Sequence, residues 1–375
     1  MKNRNKKIQE ELIEGLEESI NVETNKDENN SLKDIYPANV KVSRDVFSVY
    51  ELKRKYEERE TVKLDPEFQR GDVWSRKQQS ELIESILMGI PLPVMYFAED
   101  KFGNLQVIDG RQRLTALFKF LNNEFNISSS PILGYLKSKK FKDLDKKEQI
   151  KLEDYQLIVY IIKPQTPDRI KFDIFDRVNR GGTQLNKQEM RNALYQGKST
   201  ILLKQLSEES IFKQATGNAI NSKRMKDRYL ILRFLGFYLY FENKIDIKYK
   251  SDIDDFLGKI MEYINNSDDD FIENLKKIFK TSMSNVYNFL GSNAFRIPNN
   301  ERKRPINMAL FESLSYLMSF DIVNKNPNEV KRKINVLFND KEFLNSLTER
   351  IDSSRSVEVR FSKMKNILKG LKNAI

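Results

Sequence analysis

The sequence predicts an α+β domain, a small mixed sheet with helices, followed by an all-α domain. Three observations predict this. Strand-like and helix-like runs alternate from about residue 41 to 165, the run 157–162 is continuously apolar and β-branched, and beyond Pro167 helical periodicity continues almost to Ile375. At 375 residues the chain has room for two or three domains of about 150 residues each. The expected divisions are an acidic segment at 1–40, the α+β domain at 41–165 and the helical domain at 166–375.

Residues 1–40 hold six Lys/Arg against nine Asp/Glu, a net of −3; the chain totals +11, so the remainder carries +14. Ile8, Leu12, Ile13, Leu16 and Ile20 share one face of a short amphipathic helix. Residues 21–32 after it read as a polar linker. Two readings stand for this segment: a helix that docks on a partner or on the basic body, and a solvated tail.

A helix over 46–58 and a short strand over 62–64 lead into a loop at 65–74. Leu82, Ile83, Ile86, Leu87 and Ile90 recur on one face of a helix over 80–88, which Gly89 and Pro91 stop. Residues 93–98 and 105–108 are strand-like on either side of a turn at 101–104. The helix over 110–121 turns Leu114, Leu117, Phe118 and Leu121 inward, and 157–162 is a buried strand. Ile170, Ile174 and Val178 mark a helix ended by Gly181 and Gly182, and Asn186 with Glu189 supplies a capping box for the next. A long aromatic helix at 225–241 opens a helical series interrupted near 293–305.

The chain contains no Cys and no His. That excludes a disulfide, a Cys/His zinc site, a thiol nucleophile, a Ser-His-Asp triad and a His-metal nuclease centre. Chemistry is left to carboxylates, Arg and Lys, hydroxyls, backbone amides and a hard metal such as Mg²⁺ held through oxygen. The longest apolar candidate, 157–162, falls far short of the roughly 20 residues of a membrane span. Glu10, Glu11, Glu14, Glu17 and Glu18 stand where a signal peptide needs its apolar stretch, so a cytoplasmic location is expected.

The most informative element is Val107-Ile108-Asp109-Gly110-Arg111-Gln112-Arg113-Leu114, a strand that delivers a carboxylate and a glycine to the start of a helix. The first turn of a helix offers backbone N–H groups and a positive dipole end, which suit a phosphate. Gly110 permits close backbone approach, Arg113 offers a bidentate fork, and Asp109 a ligand for Mg²⁺ or an orienter for water. The bland alternative makes Asp109 a helix cap and the arginines solvated. A second element, 64–74, places Gln69, Arg70 and the single tryptophan in one loop; Trp74 either stacks on a base or plugs the core. A third, 179–186, offers Asn179, Gly181 and Gly182, either as a simple turn or as a wall of the same site.

Four ordered motifs, PEFQRGDVW, LIESILMGIPLP, VIDGRQRLTAL and FDRVNRGGTQLNKQEMRNALY, resemble the family that forms the N-terminal domain of GmrSD-type restriction enzymes. That family is a branch of the ParB/sulfiredoxin-like nucleotide-binding fold. The resemblance spans about 46–197 and continues more weakly at 224–227, 307–312 and Arg360-Phe361. It implies nucleotide hydrolysis coupled to recognition of modified or foreign DNA, in phage defence. The family signature Asp-Gly-Gln-Gln-Arg is matched at Asp109, Gly110, Gln112 and Arg113, whereas Arg111 stands where Gln is usual and adds a positive charge. Many relatives carry, or work beside, an HNH-type nuclease built on His; this sequence has no His, so cutting falls to another protein or to a carboxylate centre.

The expectation is an NTP-binding and NTP-hydrolysing protein of a restriction or phage-defence system. Asp109, Gln112 and Arg113 are its candidate catalytic residues, with Asp109 also a candidate Mg²⁺ ligand. Gln69, Arg70, Gly110, Arg111, Asn179, Gly181 and Gly182 are the candidate nucleotide-binding residues. The alternative is a non-catalytic, nucleotide-dependent DNA-sensing or regulatory subunit of a defence complex. Arg302, Lys303, Arg304, Lys331, Arg332 and Lys333, with Lys363, Lys365, Lys369 and Lys372, are either contacts to a DNA backbone or solvated charge. A partner nuclease or defence subunit would engage the helix at 8–20; assembly into an oligomer is compatible with the sequence.

Overall fold

The computed structural model describes residues 41–64, 74–166, 168–178, 186–220, 222–299 and 304–372. The chain divides between Leu194 and Tyr195 into two compact units. The first runs β1 (Val42–Ser48), α1 (Val49–Glu57), β2 (Val62–Lys63), α2 (Arg76–Met88), β3 (Met95–Glu99), β4 (Leu105–Asp109), α3 (Arg111–Leu121), α4 (Lys146–Glu153), β5 (Gln156–Ile162), α5 (Asp168–Val178) and α6 (Lys187–Leu194). Its sheet has the order β1-β5-β3-β4-β2. β1 and β4 run antiparallel to their partners β5 and β3, whereas β3 with β5 and β2 with β4 are parallel. The small mixed sheet with helices is as expected.

Val46, Phe47 and Ser48, expected in a helix, lie in β1 instead. Val46 pairs with Ile158 in a seven-residue ladder. Ser48 then turns the chain, its hydroxyl accepting the Glu51 N–H at 3.1 Å as the cap of α1. The apolar residues 46, 49 and 52 satisfy a helical period locally, and the ladder decides against it. α2 starts a turn earlier than its apolar stripe, because Ser75 and Gln78 form a capping box. Gly89 at φ 79° ends it.

One face of the sheet buries Met95, Phe97, Leu105, Val107, Leu157, Val159 and Ile161 with Val49, Leu52, Ile83, Ile86, Leu114, Leu117 and Leu152 of the first four helices. The opposite face packs Ala98, Ile108 and Ile162 on Met190 and Ala193 of α6. That packing keeps the chain as far as Leu194 with the sheet, whereas the change in sequence pattern falls at 165/166.

The second unit is helical: α7 (Lys198–Glu208), α8 (Ser210–Ala215), α9 (Lys226–Phe241), α10 (Ile253–Asn266), α11 (Asp269–Leu290), α12 (Met308–Met318), α13 (Ile322–Lys325), α14 (Pro327–Leu337), α15 (Lys341–Thr348) and α16 (Ser354–Lys372). α12 is buried along its whole length. The aromatic residues of α9 are core: Phe237 packs within 5.5 Å of Phe256, Tyr249 and Phe361, measured between ring centroids. At the centre Glu312 of α12, fully buried, accepts from Arg233 of α9 at 2.5 Å and from Nε of Arg360 of α16 at 2.9 Å. Arg233 also meets Asp352 at 2.7 Å. Among the described residues no helix is long and apolar enough to cross a membrane.

Candidate functional site

The strand, turn and helix at 105–121 bring the first motif together. β4 ends at Asp109, Gly110 takes φ 98° and ψ 0°, and α3 begins at Arg111. A side chain is strained at that φ, and an added Cβ would lie 2.6 Å from Cγ of Met95. On the side where a Cβ would project, Gly110 therefore meets Met95. The glycine serves the turn and this packing.

Asp109 is not a helix cap. Gly110 holds that position and has no side chain to cap with. The Asp109 carboxylate instead accepts from Nη2 of Arg113 at 2.6 Å, one helical turn on. The same guanidinium donates through Nη1 to the Pro93 carbonyl and lies 3.4 Å from that of Val94. Its side chain is 11% exposed against 34% for Asp109. Burial pulls the Arg113 pKa below its ordinary value, against the charge and hydrogen bond of Asp109, which raise it; an arginine remains cationic all the same. In this structure the Arg113 fork braces Asp109 and the chain entering β3.

Arg111 and Gln112, both half-buried, form the first turn of α3. Oε1 of Gln112 accepts the Trp74 N–H at 3.4 Å, and the Trp74 carbonyl accepts from Gln79 at 3.2 Å. The end of the second motif is thus tied to the start of α3. The Trp74 ring packs against the main core, in the role of a plug. Gln69 and Arg70 lie outside the described residues, as do Asn179, Gly181 and Gly182. The helix after the third motif begins as expected: Asn186 accepts the Glu189 N–H at 2.9 Å, and Glu189 accepts the Asn186 N–H at 2.6 Å. Met190 and Ala193 then seat α6 against Ile108, next to Asp109 in β4.

Sequence reasoning missed the buried polar residues on these elements. Gln106 of β4 and Gln188 of α6 are both more than nine-tenths buried, and Nε2 of each has no hydrogen-bond partner among the described residues. Periodicity gives no signal for them, because each occupies a position where a polar residue reads as solvent-facing. Among the described residues no group of three His, Cys, Asp or Glu could hold a metal ion. The site offers, among the described residues, one carboxylate, already paired with arginine, which fits Mg²⁺ that arrives on phosphates and keeps its waters.

In the helical unit, Arg302 and Lys303 lie outside the described residues. Arg304 lends its carbonyl to Arg296. Arg332 is held by Glu329 through two hydrogen bonds of 2.8 Å, and Lys333 lies 3.8 Å from the same carboxylate, while Lys331 is exposed. Lys363 pairs with Asp340 and Glu342, and Lys365 donates to the Phe241 carbonyl, so Lys369 and Lys372 are the exposed lysines of α16's last turn.

Residues 49–196 match the family described as the GmrSD restriction endonuclease, N-terminal domain. No curated protein and no solved structure gives a match.

Proposed function

We propose, from the match of residues 49–196 to the GmrSD restriction endonuclease N-terminal domain family, that the chain is a nucleotide-binding and nucleotide-hydrolysing member of a DNA restriction or phage-defence system. The first unit would then use its mixed sheet in the ParB/sulfiredoxin manner. The observation that carries this reading is the Asp109 carboxylate, one-third exposed and braced by Arg113, beside a helix start whose cap residue is a glycine. A carboxylate held there can order a water or an ion beside phosphates that lie on the first turn of α3.

The reaction is attack of water on a terminal phosphate, helped mainly by positioning and by positive charge. Asp109 orients the attacking water, and Gln112 lies in the first turn of the helix that follows it. Arg111 places a charge on the phosphates, a role Arg70 shares in this reading. Arg113 acts through Asp109 as a positioning residue. Gln69, Gly110, Asn179, Gly181 and Gly182 complete the cradle. Bound with the nucleotide, Mg²⁺ would neutralise phosphate charge, with Asp109 a protein ligand.

A second reading has a specific observation behind it. Arg113 neutralises Asp109, which favours a site that binds a nucleotide without turning it over, as in a DNA-sensing or regulatory subunit. DNA would contact the helical unit through exposed Lys331, with Arg304, Lys333, Lys369 and Lys372. Strand cutting would be left to a partner subunit, engaged through residues 8–20.

The test is a panel of nucleoside triphosphates with Mg²⁺, measuring binding and phosphate release with and without DNA. Hydrolysis predicts phosphate release that Asp109→Ala abolishes while its circular dichroism matches wild type. Binding without release selects the sensor, and equal release by Asp109→Ala removes the site.

A further inference from the structure

Among the described residues, the sheet face opposite the main core is only partly covered. Ala98, Ile108 and Ile162 lie beneath α6. Toward β1 the ladder aligns Val46 with Ile158, Arg44 with Tyr160, Tyr160 with Tyr96, and Tyr96 with Asp109. Val42 and Val46 are 41% and 48% exposed, Arg44 is exposed, and Ile158, Tyr160 and Tyr96 are half-buried. One row therefore crosses four strands from a guanidinium through two aromatic rings to the site carboxylate.

The two rings are stacked, with centroids 5.5 Å apart and planes at 27°. Tyr96 also packs against the smaller core under α6, which fixes one member of the stack. Tyr160 is one strand farther out and beside Arg44, so it is the ring nearer the open end of the row. With strands about 4.8 Å apart, Tyr160 stands two strands, roughly 10 Å, from Asp109. Tyr96 takes the ring face turned toward Asp109, so a base stacks on the far face, about three strand spacings or roughly 14 Å from Asp109, near the extended reach of a nucleoside triphosphate. An aromatic platform accepts any base, because every base presents a π-face, and a neighbouring guanidinium adds its own stacking surface and charge.

We propose that Tyr160, backed by Tyr96 and flanked by Arg44, is the base-stacking subsite for the nucleotide whose phosphates lie at the start of α3. The inference rests on the nucleotide reading given above and adds where the base sits. It assigns the half-open end of the sheet to a planar heterocycle rather than to a polypeptide. Stacking predicts modest discrimination among bases, since the platform alone reads no hydrogen-bonding edge.

Calorimetric titration of the full chain tests this with ATP, GTP, CTP and UTP, each against inorganic tripolyphosphate. Tyr160→Ala should weaken binding of the nucleotides roughly ten- to a hundredfold, the span expected for one lost stacked base. Its binding of tripolyphosphate should be unchanged, and Tyr160→Phe should bind both as wild type does. Arg44→Ala should weaken the nucleotides less than Tyr160→Ala does. If Tyr160→Ala binds nucleotides normally, the subsite is wrong and the nucleotide reading stands. Equal loss of nucleotide and tripolyphosphate also overturns the subsite, because the change would then act on the phosphates or the fold. Loss of single-stranded oligodeoxynucleotide binding alone would overturn it and give the row to a DNA strand. Wild-type protein that binds neither probe removes the nucleotide reading and the subsite together.

Discussion

Replacing Arg113 by alanine separates a brace from a phosphate clamp, because the two roles predict different behaviour in the absence of any ligand. As a brace, Arg113 holds Asp109 at 2.6 Å and serves the carbonyls of Pro93 and Val94 while 11% exposed. The ion pair is one-third open to water on the Asp109 side, so screening limits it to about 1 kcal/mol. The contacts to the two carbonyls, lost together, add about 1–2 kcal/mol. Arg113→Ala should therefore lower the stability of the ligand-free first unit by about 2–3 kcal/mol, of which Asp109→Ala should share about 1 kcal/mol in a double-mutant cycle. Urea unfolding followed through the Trp74 emission reads that unit, since the chain has one tryptophan and it lies there. A clamp predicts a ligand-free stability within about 0.5 kcal/mol of wild type, the scatter of a surface change, and a loss confined to nucleotide binding. That result would refute the brace.

Gly110→Ala should cost about 2–3 kcal/mol, since φ 98° strains a side chain and the new Cβ would sit 2.6 Å from Met95; thermal unfolding of Gly110→Ala with and without Met95→Ala should show the second change recovering part of the loss. Glu312→Gln should destabilise the helical unit by about 3–5 kcal/mol, as two buried guanidiniums lose their shared charge; denaturant midpoints check it, and an unchanged midpoint would show that the cluster contributes nothing. Glu84 of α2 accepts from Ser130 at 2.6 Å, Ile132 at 2.8 Å and Leu133 at 2.7 Å. Burial raises its pKa, but these hydrogen bonds outweigh burial and hold the carboxyl below its ordinary 4.5. A depressed folded pKa gives stability that is full above the unfolded value and lost as pH falls through the folded one. The stability advantage of wild type over Glu84→Gln should be about 1–2 kcal/mol near neutral pH and shrink in acid below pH 4.5; a constant gap would contradict it.

Much of the architecture was legible because strand and helix periods differ. The buried run of β5 and the stripes of α2 and α3 sit within a few residues of their expected places, and the Asn186–Glu189 box forms as written. The 46–48 stretch reads as helix because Val46 falls on the helical face of Val49 and Leu52, and only the pairing with β5 keeps the chain extended there. The site was legible as a motif and not as a geometry. A sequence places Asp109 and Arg113 four apart, which allows either an outward fork or an inward pair, and the carbonyls of Pro93 and Val94, twenty residues upstream, decide between them. The Tyr96–Tyr160 stack was invisible for a like reason: the two tyrosines are neighbours only through the parallel pairing of β3 with β5.

The clasp around Glu312 has a consequence for how the helical unit is made. Its three members come from helices that leave the ribosome far apart in time, with Arg233 first, Glu312 next and Arg360 last. Until Arg360 emerges, the nascent α9–α12 pair encloses a centre short of one cation and of the final apolar wall that α16 provides. Closure of this unit thus waits for α16, and a nascent chain stalled before it would leave the aromatic interior without that wall.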